Sequence, residues 1–231
     1  MCYSQKTSAF AYVAGILSAL FCFTTRQLAM GMFILCYTQM QLAELLIWRG
    51  IDTKNPTLNK VGTAIGKWSL PLHNVAIGLG ILLSTALIAK RPLRLPDYLP
   101  LVIGLLFFGI IVLFWFPKEP DSASETFPSQ PLCADRKCQN SKNRLQWPFP
   151  HHYYWVSFLV SMAIMLIWLR PLSLEIWYVF LFAITAYLAT QNQTRETQGS
   201  TWCYTTALIA PLVAIGGHFI IRKLPNSAIR A

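Results

Sequence analysis

Three polar side chains interrupt an otherwise apolar run in QLAELLIWRG: Gln41, Glu44 and Trp48. Spaced three and four apart, they fall on one face of a helix. A second interruption, His73 with Asn74, follows in KWSLPLHNVAIGLG, just beyond Pro71. A carboxylate and an imidazole are a common couple for moving a proton. Glu44 and His73 are therefore the first candidates for chemistry, with Gln41 and Asn74 as hydrogen-bonding neighbours. His151 and His152 lie further on, and one of them with His73 and Glu44 could make a three-ligand zinc site with an open position. No ligand-spacing motif supports such a site, so no metal and no other cofactor is expected.

Cysteines are the other reactive groups. Cys2 directly follows the first methionine, and a thiol there could be a nucleophile, a lipid anchor, a metal ligand or half of a disulfide. Cys133 and Cys138 share the stretch PLCADRKCQN, Cys203 lies in TWCY, and Cys22 and Cys36 sit inside apolar runs, where a thiol behaves as a small hydrophobe.

The elements that must position these groups follow from composition. Of 231 residues, 55% are hydrophobic and only 12% charged, about half the charged share of a soluble domain. A membrane-crossing helix needs about 20 mostly apolar residues, and seven segments meet or approach that length: 8–25, 27–48, 64–89, 98–116, 152–169, 172–190 and 201–221. In lipid every backbone polar group must be paired internally, so these segments read as helices. The expectation is one all-α, polytopic transmembrane domain over residues 1–231, a bundle of about seven helices. Its only sizeable extramembrane segment is the 117–150 loop, in which Pro117, Pro120, Pro128, Pro131, Pro148 and Pro150 disfavour regular structure.

A net charge of +10 would suit nucleic acid if it formed a patch, but the basic residues stand at helix ends. The expected partner is the lipid bilayer, in a cellular or viral membrane, and no nucleic acid. Seven spans put the termini on opposite faces. The face holding Arg26, Lys90, Arg91, Arg94, Arg170, Arg222, Lys223 and Arg230 has short loops dense in positive charge, which stay cytoplasmic. The N-terminus is thus expected outside and the C-terminus in the cytoplasm. Trp48, Trp68, Trp115, Trp147, Trp155, Trp177 and Trp202 mostly mark helix ends, as an aromatic belt does.

Sorting by face places Cys2, Cys133, Cys138 and Cys203 together on the outer, oxidising side. Cys133 with Cys138 makes an easy local bridge, and Cys2 with Cys203 would tie the first helix to the last. If Trp48 and Trp68 mark one interface, Glu44 lies about 6 Å and His73 about 7.5 Å below it, at 1.5 Å per residue. Matching depth on antiparallel neighbours admits a Glu44–His73 hydrogen bond. Such a pair either handles protons in an outward-facing cavity or fixes helix packing. Glu175, close after Pro171 and Ser173, reads as an acid at a helix N-terminus. The last helix has no lysine before Lys223, which argues against a retinal Schiff base.

Four segments together carry a resemblance: MCYS at the start, QLAELLIWRGID with Asn55 and Asn59 after it, PLHN, and TRETQGSTWCY. They resemble an uncharacterised family of small multi-spanning membrane proteins found in bacteria and large DNA viruses. Its members begin Met-Cys-Trp-Ser or similar, carry an acid in the second helix, and have a Trp-Cys pair before the last. Tyr3 stands here where that family usually has Trp. The resemblance implies the multi-span architecture and supports a Cys2–Cys203 pairing, and it brings no activity with it. With no complete catalytic motif, the sequence points to a non-enzymatic channel, transporter-like protein or structural membrane component. The alternative is an intramembrane hydrolase or lipid-modifying enzyme using Glu44 and His73 on the outer side.

Overall fold

The computed structural model describes residues 4–88, 90–116, 126–128, 145–147, 152–191 and 198–223. Seven α-helices run through them: α1 (Gln5–Thr24), α2 (Leu28–Asp52), α3 (Pro56–Leu83), α4 (Leu95–Ile110), α5 (His152–Trp168), α6 (Leu172–Thr190) and α7 (Gln198–Lys223). A π-helical turn extends α3 over Ser84–Ile88, and another extends α4 over Ile111–Trp115. The all-α transmembrane bundle is thus the observed architecture. Six of the helices are long and apolar enough to cross a membrane, and the seventh, α5, has the shorter apolar stretch Trp155–Trp168.

Caps set the helix ends, and they correct the expected boundaries. Ser4 starts α1, its Oγ accepting the Thr7 N–H at 3.3 Å. The expected 49–63 loop is almost entirely helix. Its polar residues carry α2 beyond the apolar run to Asp52, and α3 begins at once with Pro56 in its first turn. The Asn55 Oδ1 caps α3 by accepting the Thr57 and Leu58 N–H groups at 3.0 and 3.3 Å. Polarity there marks exposure to water, not the end of the helix. The remaining turn closes when the Thr53, Lys54 and Asn55 N–H groups return to the carbonyls of Arg49, Ile51 and Gly50. The α1–α2 turn is built alike, with Gln27 N–H returning to the Cys22 carbonyl at 2.8 Å. Each turn has one basic residue in the left-handed region, Arg26 at φ 63° and Lys54 at φ 53°. That backbone costs a non-glycine residue about 1 kcal/mol.

Helix α2 is the axis of the bundle, with α1, α3 and α7 against it. Helix α6 packs on α7 and α5, while α3 carries α4 and α5 on its other side. The α2–α3 seam is backbone against backbone. A Cβ on Gly62 would stand 2.6 Å from the Ala43 carbonyl oxygen, and one on Gly80 would stand 2.5 Å from the Ala29 Cα. Small residues at such crossings are how helices associate where no hydrophobic force separates them from lipid. The main core joins residues of α1, α2, α3, α5, α6 and α7, among them Ile34, Ile77, Met165, Phe182 and Val213. Outside, large apolar side chains such as Phe10, Leu113, Leu159, Phe180 and Phe219 are mostly exposed. A water-soluble surface does not carry so much contiguous apolar area, and lipid does accept it.

The 117–150 loop, read as irregular, contains one short ordered piece. Phe127–Pro128 pairs antiparallel with Leu145–Gln146, as strands β1 and β2.

Candidate functional site

Gln41 and Glu44 are fully buried on α2, and Trp48 nearly so. They lie toward the end of the bundle that carries the α2–α3 turn, where Met40, Ala43, Ile47 and Leu70 form a second, smaller core with Cys203 of α7 and with Leu145 and Trp147. The strand pair is what seals this end. A Cβ on Gly66 would stand 2.5 Å from the Trp147 ring, so the indole occupies the space a larger residue would fill. Thr126 is held just as closely. Its N–H donates to Asn59 Oδ1 and its carbonyl accepts from Asn59 Nδ2, both at 2.9 Å, while its hydroxyl meets Thr63 Oγ1 at 2.8 Å. Sequence reasoning passed over Asn59, Thr63, Thr126, Leu145 and Trp147 as sites. The legible signal was Asn59 and Thr63 four apart on one face of α3, with nothing to name their partner.

The four candidate polar residues do not form one cluster. His73 packs edge-on against Phe33 and Tyr37, with ring centroids at 5.9 and 6.2 Å. Its buried Nε2 has no hydrogen-bond partner among the described residues. Tyr37 precedes Glu44 by seven residues of α2, about 10 Å along the axis. The Glu44–His73 hydrogen bond admitted above is therefore not made. The reason is the three-residue α2–α3 turn: it places Gly62 beside Ala43 and Ile47, and so carries His73 past Glu44 to the level of Phe33. Trp68, taken as an interface marker matching Trp48, sits well down α3 and is 44% exposed on its outer side. Asn74 has a third environment. Its Nδ2 donates to Ser157 Oγ at 3.0 Å, its Oδ1 accepts from Ser161 Oγ at 2.8 Å, and Ser157 Oγ donates to the Leu70 carbonyl at 3.0 Å. Those bonds lock α3 to α5.

Cys203, on α7, carries a free thiol buried in the second core. The expected Cys2–Cys203 bridge involves a residue outside the described ones; Cys203 itself is free and buried in this second core. Cys2, Cys133 and Cys138 lie outside the described residues, as does His151. Among the described residues no three His, Cys, Asp or Glu side chains are arranged to hold a metal ion.

The opposite end of the bundle holds a cavity of about 250 Å³ that the sequence did not suggest. It is walled by Met30 of α2, Ile81 of α3, Ile167 and Trp168 of α5, Leu174 of α6 and Ile221 of α7, and three arginines line it: Arg26, Arg91 and Arg170. Arg91 is paired in a fork with Asp97, at 2.6 and 2.8 Å, which holds the Arg91 guanidinium above its ordinary pKa through that hydrogen bond. Arg170 reaches Glu175 at 3.3 Å. The floor is Tyr178, whose O–H donates to Gln27 Oε1 at 2.5 Å, while Gln27 Nε2 donates to Thr25 Oγ1 and to the Ala214 carbonyl at 2.8 and 2.9 Å. The π-helical turn supplies Ser84, Thr85 and Ile88 to the same wall. Compared with family models, curated proteins and solved structures, the chain matches none.

Proposed function

We propose that this chain is an integral multi-pass membrane protein without a catalytic role, transporter-like, that takes a small ligand into the arginine-lined cavity. The observation that supports this reading is the contrast between its ends: a cavity of about 250 Å³ among α2, α3, α5, α6 and α7 at one end, and a packed seal of Trp147 and Thr126 at the other. The dense short basic loops at the cavity end favour a cytoplasmic opening, with the N-terminus outside and the C-terminus inside.

The competing reading, an intramembrane hydrolase built on Glu44 and His73, needs both groups at one reacting atom. Two turns of α2 separate the levels at which they sit, and both are buried among apolar side chains. Thermal unfolding of the detergent-purified protein across a panel of small amphiphiles tests the proposal. Stabilisation by one or more of them, abolished by Ser84→Trp in the cavity wall and kept in Glu44→Gln, is expected. Ester or amide hydrolysis lost in Glu44→Gln would establish the enzyme instead.

A further inference from the structure

The ligand class can be read from the charges around the cavity. Three arginines line it, and two of them are already neutralised: Arg91 by Asp97 and Arg170 by Glu175. Arg26, exposed at the left-handed position of the α1–α2 turn, has no carboxylate partner among the described residues. Among the described residues that line it, the cavity thus presents one arginine without a carboxylate partner, at one end of the bundle. The other walls are apolar, from Met30, Ile81, Ile167 and Leu174, over a floor already fixed by the Tyr178–Gln27 hydrogen bond.

Size narrows the choice. Pockets that enclose drug-sized ligands measure about 300–1,000 Å³, and this cavity is smaller, at about 250 Å³. It can take a charged head and the first carbons behind it, while longer chains must stay in the bilayer. A single positive charge suits a monoanion. Basic pockets between helices at the cytoplasmic side are where anionic lipid heads bind, and a guanidinium matches a phosphate with two parallel hydrogen bonds.

We infer that the cavity is a binding site for an anionic phosphodiester lipid, its phosphate on Arg26 and its glyceryl carbons against Ile81 and Met30. This inference rests on the reading of the cavity as the ligand site. No bond is made or broken in it.

Native mass spectrometry of the detergent-purified full chain tests the site with phosphatidylglycerol, phosphatidylcholine, and glycerol phosphate as the free-head competitor. Retention of phosphatidylglycerol over phosphatidylcholine is expected. Arg26→Gln should weaken it about tenfold, the usual worth of a charge-assisted contact. Arg26→Lys should restore most of the binding and shows that the turn still folds. Ser84→Trp should abolish it. Equal retention of both lipids, or full binding by Arg26→Gln, overturns the phosphodiester assignment. Displacement by glycerol phosphate at equal concentration overturns the lipid as its source. If Ser84→Trp still removes binding in any of these cases, the cavity remains the ligand site. If Ser84→Trp leaves binding unchanged, both this inference and the reading beneath it fail.

Discussion

The side chain of Asn59 pairs with the backbone of Thr126 as a neighbouring strand would, accepting its N–H and donating to its carbonyl, each at 2.9 Å. One amide of α3 thereby replaces an absent strand and fixes the segment that brings Trp147 over Gly66. Asn59→Leu removes both bonds and leaves the buried Thr126 groups unpaired, which should cost about 2–3 kcal/mol. Thermal unfolding in detergent should show the loss, and hydrogen exchange should show it concentrated in the ends of α2 and α3 next to their shared turn. Unchanged exchange there would disprove the clamp.

Asn74 is expected to act as a strut between helices. Asn74→Ala removes two bonds to Ser157 and Ser161, and interhelical hydrogen bonds in membrane bundles average about 0.6 kcal/mol each. A loss of about 1 kcal/mol in unfolding free energy is expected, and Ser161→Ala should lose about half of it. If Asn74→Ala abolished a ligand-dependent activity at unchanged stability, a purely packing role would be wrong.

Gly62→Val should be among the most damaging single substitutions. Its side chain would have to enter the space held by the Ala43 carbonyl and Ile47, and overpacking of this kind costs about 1–3 kcal/mol. The measurement is the yield of monodisperse protein together with its unfolding temperature. Gly109 offers the control, since nothing lies within 4 Å of a Cβ there, and Gly109→Ala should behave as the native chain does.

Lys54→Gly runs the other way. It relieves a left-handed backbone at φ 53° in an exposed turn, so stability should hold or rise by up to about 1 kcal/mol despite the added freedom of the unfolded chain. A marked drop would mean that the lysine side chain, not the turn geometry, is what matters there.

Cys203 should not react with a water-soluble maleimide in the folded protein, and should react fully once the bundle is unfolded. It is buried in the core that also holds Met40 and Leu70. A non-reducing peptide map should recover its thiol free. Labelling before unfolding would show that this end of the bundle is open to water.

Much of this protein was legible in its sequence because lipid leaves so few choices. Without water to satisfy the backbone, runs such as 172–190 can only be helices, and α6 spans Leu172–Thr190 as read. The basic ends and the inward face of Gln41, Glu44 and Trp48 followed from spacing alone. What spacing could not supply was register. The distance between Glu44 and His73 depends on whether residues 49–63 form a loop or continue two helices, and that was decided by the Asn55 cap and by the close approach at Gly62. The cavity is a property of the tertiary structure in the fullest sense. Arg26, Ile81, Ile167, Leu174 and Ile221 come from five separate parts of the chain, and no local pattern records that helix ends will leave a space between them. Periodicity says which way a side chain faces; only packing says what it meets.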